Sequence, residues 1–271
     1  MIYITVKNDF GHLNAGSFEL NLNYQYIKLN NILIESRKNK VFEAIFSLYL
    51  NRLQKKHFHK IHLCGAENFS GIDAAIPTIA YVNHSNWWDG FIAFYLAKEV
   101  LKVDSYLMMD IEQMQKYKFF RRLGVFSVDR NSPQNAMESI DYVAKLLKDS
   151  KRLLWIFPQG VLLPNDTRPL KFFTGVSSIV EKLGCVNLIP LAMKYEFLME
   201  QRAEIFLQIG KPERTKEPVK DKKEFTLNLQ NNLTTEVDSL KSKITANDLD
   251  SFKTIFHGKD SRNKTIDKLH A

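Results

Sequence analysis

Several classes of protein are disfavoured by what this chain has little of. It has only two cysteines in 271 residues, Cys64 and Cys185, which lie far apart without a Cys-x-x-Cys spacing. A disulfide framework and a cysteine metal site are therefore not expected, and we expect both thiols to be reduced and buried. The chain also lacks the run of about 18 consecutive apolar residues that a membrane-spanning helix needs. Its first residues do not resemble a signal peptide, so we expect any membrane contact to be made from the surface.

Hydrophobic residues, at 45%, and positive charge, with a formal net charge of +8, are both plentiful. The length and hydrophobic content suit one α/β domain, or one domain with a small appendage. A basic surface favours acidic partners, such as nucleic acid, anionic lipid, or a phosphorylated or CoA-like substrate. No helix-turn-helix, RRM or KH signature stands out, so we expect no nucleic-acid partner.

Apolar patterns typical of strands and helices alternate from about residue 60 onward. Strands are predicted at 76–82, 106–109, 125–128, 153–157, 186–191 and 205–209, and helices at 41–56, 87–101, 133–147, 172–183 and from about 222 onward. This alternation predicts an α/β fold with a mostly parallel central sheet flanked by helices, and an N-terminal helical or extended appendage. The expected segments are an N-terminal extension at 1–59, the α/β domain at 60–215, and a C-terminal helix with a polar tail at 216–271.

The helix predicted at 41–56 admits two interpretations. Apolar residues fall on one face at helical spacing, namely Phe42, Ile45, Phe46, Tyr49 and Leu53. Basic residues follow at once, from Arg52 to Lys60. The helix either packs on the core with a solvated basic end, or lies in a membrane interface with that end against anionic headgroups.

One candidate catalytic pair lies where an apolar strand gives way to a helix, in the segment Tyr-Val-Asn-His-Ser-Asn-Trp-Trp-Asp-Gly at 81–90. Strand ends in such sheets are where ligands bind. His84 is expected at the strand end and Asp89 in the first helical turn, with Ser85 or Asn86 as the helix cap. The carboxylate then fixes the imidazole tautomer and aims the other ring nitrogen outward. A structural histidine bonded to a helix end gives the same pattern.

Three later blocks follow this motif in order: Gly-Val-Phe-Ser-Val-Asp-Arg at 124–130, Phe-Pro-Gln-Gly at 157–160, and Leu-Ile-Pro-Leu at 188–191. Together with Asn-His-x4-Asp, they resemble the PlsC-like family of 1-acylglycerol-3-phosphate and related acyltransferases, over about residues 60–210. The resemblance implies transfer of a fatty acyl chain from acyl-CoA or acyl-carrier protein to the hydroxyl of a lysophospholipid or related glycerolipid.

The resemblance also assigns roles to individual residues. It implies that His84 is the general base, that Asp89 orients it, and that Arg130 holds an acceptor phosphate. It implies that the third block shapes the acceptor site and that Pro190, in the fourth block, lies beside the acyl donor. The third block consists of Phe157, Pro158, Gln159 and Gly160. A thioester is already activated, so no covalent intermediate, cofactor or metal is expected. We also expect a peripheral protein on an anionic membrane surface, at the cytoplasmic face.

The third block departs from the family pattern. Gln159 stands where the family has Glu, and the Thr167-Arg168 pair follows only after a longer, more apolar loop. An uncharged acceptor, such as a glycolipid or another lipid alcohol, therefore stays open. Arg168 either binds an acceptor phosphate or is a surface arginine tied to Asp166. A non-catalytic lipid-binding protein and a thioester hydrolase are the remaining alternatives.

Overall fold

The structure is a computed structural model of the chain and describes residues 33–215 and 219–259. Within those residues, the framework is one sheet of nine strands. The strands are β1 Phe58–Cys64, β2 Thr78–Val82, β3 Ser105–Asp110, β4 Val125–Val128, β5 Leu153–Ile156, β6 Asn187–Glu196, β7 Ala203–Ile209, β8 Glu213–Arg214 and β9 Lys253–His257. Every predicted strand is present, and β6 continues beyond its predicted end at Leu191 to Glu196.

The strand order is β4-β3-β5-β2-β6-β7-β1-β9, with β8 paired to β6. The pairs β4–β3, β3–β5, β5–β2, β2–β6 and β7–β1 are parallel, whereas β6–β7, β6–β8 and β1–β9 are antiparallel. The predicted α/β fold with a mostly parallel central sheet is therefore confirmed. Strands β2 to β6 run in one direction, so their carboxyl ends share one edge of the sheet, here called the carboxyl edge.

Helices cover both faces of the sheet. They are α1 Lys40–His57, α2 Ala66–Ser70, α3 Asp89–Tyr95, α4 Ile111–Lys116, α5 Pro133–Leu147, α6 Gly175–Leu183 and α7 Lys222–Thr245. Side chains alternate along β2, so that Ala80 and Val82 join one apolar core while Ile79 and Tyr81 join the other. Helices α1 and α3 pack on the first core, and α5, α6 and α7 on the second.

Local capping signals place α5 and the end of α6 as predicted. Ser132 is the N-cap of α5 and accepts a hydrogen bond from Asn135 N at 3.3 Å, with Pro133 in the first turn. Gly184 closes α6 with φ of 74°, and its N–H donates to Val180 O at 2.7 Å. These ends are set by nearby residues, which explains why the sequence alone predicts them.

The prediction of one regular helix at 87–101 is wrong, because the helix begins later and is not α-helical throughout. It begins at Asp89, because the Asp89 carboxylate accepts hydrogen bonds from Ser85 N and Asn86 N and holds those residues in a turn. Neither of these residues caps the helix; Trp88 occupies the N-cap without a side-chain bond. The chain then continues as a π-helix over Leu96–Leu101.

The predicted polar tail also contains structure. Strand β9 pairs antiparallel with β1 and buries Phe256, which is 7% exposed. Strand β1 begins at Phe58, inside the segment predicted as the basic end of a helix. Both strands are short and rich in polar residues, so their pairing and not their pattern makes them strands.

Helix α1 forms as predicted, but it turns a different face to the core. Its buried residues are Glu43, Phe46, Ser47, Leu50 and Gln54. The two buried polar groups nearest its start have partners, since Glu43 lies 3.3 Å from Lys38 and Ser47 donates to Glu99 at 2.5 Å. The prediction that Ile45 and Tyr49 pack on the core is wrong, because they are 61% and 55% exposed.

None of the helices in the part of the chain that the structure describes is long and apolar enough to cross a membrane. The prediction of an extended or helical appendage before residue 33 lies outside the described residues. The segment boundaries expected near 59 and 215 stay predictions. Cys64 and Cys185 are both free thiols and are only partly buried.

Candidate active site

His84 lies two residues beyond the end of β2, at the carboxyl edge of the sheet. Its Nδ1 is 2.8 Å from Asp89 Oδ2. The Asp89 side chain is fully buried, whereas 24% of the His84 side chain is exposed. Because Nδ1 faces the carboxylate, Nε2 is the ring nitrogen left to act on a ligand.

The Asp89 carboxylate is held by more than the histidine. Its Oδ2 also accepts from Ser85 N at 2.7 Å and from Asn86 N at 2.9 Å, and its Oδ1 accepts from the Tyr195 hydroxyl at 2.7 Å. Hydrogen bonds to a carboxylate favour its charged form and offset the cost of burying it. The arrangement therefore keeps a negative charge against His84 inside the protein.

Tyr195 is a member of the site that sequence reasoning missed. It lies on β6, 106 residues from Asp89 along the chain. Burial, followed by the negative charge of Asp89, raises the pKa of the Tyr195 hydroxyl well above its ordinary value. The hydroxyl therefore stays protonated and donates to the carboxylate. No local signal marks this tyrosine, because only the extension of β6 past β2 brings it to Asp89.

The third block holds His84 from the other side. The Phe157 ring stacks on the imidazole with ring centroids 4.4 Å apart. The buried Gln159 side chain accepts from His84 N at 2.8 Å, and His84 O accepts from Leu163 N at 2.9 Å. Glutamine and glutamate both present an oxygen here, so the departure from the family pattern keeps this hydrogen bond.

Arg130 lies against the turn that the third block forms. The turn closes through a hydrogen bond from Gly160 N to Phe157 O at 3.0 Å. Gly160 has φ of 66°, and a Cβ built on it would lie 2.2 Å from Arg130 Nη1. Arg130 also lies 3.3 Å from Asp110 Oδ2 and covers the Phe173 ring. A side chain at position 160 would strain the left-handed backbone and displace the end of Arg130, so glycine suits this turn, which lies between the guanidinium of Arg130 and His84.

Arg168 is engaged elsewhere. Its Nε donates to Asp238 Oδ1 on α7 at 3.1 Å, and its Nη1 donates to Asn165 O and Thr167 O, each at 2.9 Å. Asp166 instead pairs with Lys241 at 2.8 Å. The alternative that Arg168 is a surface arginine tied to Asp166 is therefore wrong, because its acidic partner is Asp238. Within the described residues, Arg168 makes no hydrogen bond or ion pair with His84 or Asp89.

Three further motif residues, Asn83, Pro190 and Pro158, support the framework of the site. Asn83, which received no role from the sequence, accepts from Met193 N at 2.8 Å and donates to Met193 O at 2.9 Å. Its amide thereby fastens the end of β2 to the extension of β6. Pro190 is buried within β6 opposite Tyr81, where its carbonyl accepts from Gly210 N at 2.9 Å. Pro158 O accepts from Phe173 N at 2.9 Å.

Comparison with known proteins identifies the fold and the family. Residues 60–194 match the family model described as Acyltransferase. The chain belongs to the acyltransferase family. Its structure is also similar to the crystal structure of the 1-acyl-sn-glycerophosphate (LPA) acyltransferase PlsC from Thermotoga maritima, with a TM-score of 0.52. That match covers 76% of this chain and 83% of the other at 17% identity, and such a likeness concerns the fold alone. No curated protein gives a significant match.

The pair His84–Asp89 gives this acyltransferase a buried charge behind a partly exposed imidazole. Such a pair can take a proton at Nε2 while the carboxylate stabilises the imidazolium that forms. The ring of Trp88, next to Asp89 in the chain, packs edge-on against that of Phe58, with centroids 4.9 Å apart. Phe58 in turn lies 6.1 Å from the Tyr195 ring.

Proposed function

We propose that the chain transfers a fatty acyl group from acyl-CoA or acyl-carrier protein to the hydroxyl of a lysophospholipid or related glycerolipid. The observation that carries the proposal is the hydrogen bond between His84 and the buried Asp89 at the carboxyl edge of an acyltransferase fold. No protein nucleophile is needed, because the thioester is already activated.

In the proposed reaction, His84 Nε2 takes the proton of the acceptor hydroxyl as its oxygen bonds to the thioester carbonyl carbon. The carbonyl electrons move onto the oxygen to form a tetrahedral oxyanion. As the oxyanion collapses, the C–S bond breaks and the leaving thiolate receives the proton from the imidazolium. Asp89 stays ionised throughout and stabilises the imidazolium, with Tyr195 and Phe157 holding the two partners in place.

The acceptor is tested by replacing Arg130 with alanine. A guanidinium that binds an acceptor phosphate contributes roughly 1.5–3 kcal/mol through charge-assisted hydrogen bonds. We therefore expect Arg130→Ala to raise KM for lysophosphatidate about 10- to 100-fold, with a smaller change for the acyl donor. The measurement is steady-state transfer to lysophosphatidate, lysophosphatidylcholine, glycerol phosphate and a glycolipid, with the products identified by mass spectrometry.

Arg168→Ala is the matched comparison in the same panel. An Arg168 that binds acceptor phosphate must leave Asp238, so a rise in KM equal to that of Arg130→Ala assigns both arginines to the acceptor. An unchanged KM assigns Arg168 to α7. Strong activity on lysophosphatidate that is insensitive to Arg130 would contradict the phosphate-binding role. Release of free fatty acid without an acylated product would contradict the transfer reaction itself.

Tyr195→Phe tests whether the hydroxyl positions the Asp89 carboxylate. One net hydrogen bond is worth about 0.5–1.5 kcal/mol, so we expect kcat to fall by roughly 2- to 10-fold. Without the donor, more negative charge faces His84 and the imidazolium is favoured. The acid limb of the pH–rate profile should therefore move to higher pH, a change that a merely structural loss does not produce.

Tyr142→Phe is the control for Tyr195→Phe. Its hydroxyl is also bonded, accepting from Ser36 N at 3.1 Å, but far from the site. We expect both the rate and the pH–rate profile of Tyr142→Phe to match those of the wild type. A pH–rate profile of Tyr195→Phe that coincides with that of the wild type would remove the tyrosine from the proposed mechanism.

We further propose that the protein works peripherally on an anionic membrane surface, at the cytoplasmic face. Helix α1 supports this with an outward stripe at helical spacing, in which Val41, Ile45, Leu48 and Tyr49 are 55% to 70% exposed. Arg52 and Lys56 continue the same stripe and are exposed. An apolar stripe that ends in cations is typical of helices that lie in the interface of anionic membranes.

A further inference from the structure

Three consecutive large apolar residues stand exposed at the carboxyl edge. Phe197, Leu198 and Met199, here called the hairpin tip, belong to the connection between β6 and β7. They are 73%, 40% and 97% exposed. Single exposed apolar residues are ordinary on protein surfaces, but a contiguous group marks a surface that interacts with something.

The hairpin tip reaches beyond the parallel part of the sheet. Strand β6 pairs with β2 only as far as Leu191, opposite Val82, and then continues with β7 as far as Glu196, opposite Glu204. Tyr195, which donates to Asp89, lies in this extension. The tip therefore begins two residues after a member of the proposed site, on the side of the sheet where His84 emerges.

Four basic residues lie beside the hairpin tip and are here called the basic rim: Lys55, Lys56, Arg202 and Lys259. Arg202 joins them, because its Nε donates to Lys56 O at 2.9 Å and its Nη1 donates to Lys259 O at 3.1 Å. Lys259 N in turn donates to Lys55 O at 3.1 Å. The three lysines are exposed. Hydrogen bonds to main-chain carbonyls thus hold the end of α1 and the segment after β9 against the base of the tip.

The two acidic residues that flank the hairpin tip do not offset the positive charge of the basic rim. Glu196 pairs with Lys194 at 2.8 Å. Glu200 is buried, at 7% exposure, and lies 3.8 Å from His59. The exposed apolar residues of the hairpin tip are therefore bordered by the cations of the basic rim.

We propose that the hairpin tip and the basic rim form a docking surface for an anionic bilayer. The tip inserts among the acyl chains while the rim meets the headgroup phosphates. A methionine that is 97% exposed and a phenylalanine that is 73% exposed suit a deformable apolar phase, whereas a protein partner offers a preformed groove. Docking here presents the carboxyl edge to the layer that holds an amphipathic acceptor. The inference rests on the proposed function and adds a second contact to the one made by α1.

The first test replaces the tip by Phe197→Ser, Leu198→Ser and Met199→Ser together. Sedimentation with vesicles of phosphatidylglycerol and phosphatidylcholine should show affinity about 10- to 100-fold weaker than that of the wild type. The matched control is Met137→Ser with Leu227→Ser, which removes exposed apolar residues from α5 and α7 and should bind like the wild type. Lys55→Glu with Lys56→Glu should abolish the preference for anionic over pure phosphatidylcholine vesicles.

A second variant keeps the tip apolar and reports its location. Phe197→Trp should show emission that shifts to shorter wavelength on adding the same vesicles. It should also be quenched by lipids brominated in their acyl chains, beyond the quenching of the wild-type tryptophans. This readout does not depend on the triple variant folding. If Phe197→Trp binds the vesicles but the emission of the added tryptophan is not quenched by the brominated lipids, the proposal is overturned.

Further experiments separate this proposal from the alternative explanations. If the triple serine variant binds as the wild type does and only Ile45→Glu detaches, α1 alone docks and the tip is not a membrane contact. If the variant keeps vesicle binding but loses turnover with acyl-carrier protein and not with acyl-CoA, the surface serves a protein donor, which also overturns it. Transfer between octanoyl-CoA and monomeric lysophosphatidate reports on the reaction itself. Its absence in the wild type, with either octanoyl-CoA or octanoyl-acyl-carrier protein and on every acceptor of the panel above, contradicts the proposed function, while vesicle binding reports on docking.

Discussion

His84→Ala should lower kcat by about 10²- to 10⁴-fold, the usual contribution of a positioned general base. The physical reason is that the acceptor hydroxyl must lose its proton as it attacks, and Nε2 is the group placed to take it. The fold should survive, because the imidazole is partly exposed and its main chain is held by Gln159 and Leu163. The measurement is single-turnover acyl transfer, with thermal unfolding as the check on folding.

Two comparisons make the His84→Ala result specific. His257→Ala removes an exposed histidine from β9 and should leave kcat unchanged. Added imidazole should restore part of the lost rate to His84→Ala, because the truncation leaves space for a free base between Asp89 and Phe157. Near-normal turnover by a folded His84→Ala would remove the histidine from the mechanism.

Asp89→Asn should reduce kcat by about 10³-fold while changing the volume of the side chain very little. The aspartate oxygens accept from Ser85 N, Asn86 N and the Tyr195 hydroxyl, as well as facing His84 Nδ1. A neutral amide still accepts from the backbone, so the fold is retained. Because the amide is neutral, it no longer stabilises the imidazolium that forms when Nε2 takes the proton.

The measurement for Asp89→Asn is kcat as a function of pH, together with the acyl-donor KM. We expect the loss to appear in kcat and the donor KM to stay close to that of the wild type, since the buried carboxylate is behind the imidazole. Asp141→Asn, at an exposed ion pair with Lys182, is the control with full activity. A loss confined to KM would make Asp89 a determinant of substrate binding and not of proton transfer.

The prediction of the catalytic pair succeeds because it depends on local geometry. His84 and Asp89 lie five residues apart, across the turn that joins a buried strand to α3, and this short separation is enough to bring the two side chains together. The same holds for the start of α5 at Ser132, where the cap and its partner lie in one turn. Short-range hydrogen bonds of this kind follow from residue type and spacing.

Helix α1 shows what the hydrophobic period of a sequence does not predict, namely which face of a helix is buried. The helix carries apolar residues on two sides, and the pattern does not say which side meets the sheet. The structure buries Phe46 and Leu50 and exposes Ile45 and Tyr49. Partners for Glu43 and Ser47, supplied by Lys38 and Glu99, make the more polar face the inner one.

Six of the nine strands in the described residues, the mostly parallel sheet and the motif that carries His84 and Asp89 follow from the sequence, because they depend on hydrophobic period and on neighbours along the chain. The position of Tyr195 beside the pair, the attachment of Arg168 to α7 and the pairing of β9 with β1 become visible only in the three-dimensional structure. Each of these contacts joins residues that are distant in sequence, 106 residues apart for Tyr195 and Asp89 and 70 for Arg168 and Asp238. Such contacts arise from the register between strands and the packing of whole elements, which no local pattern of residues encodes.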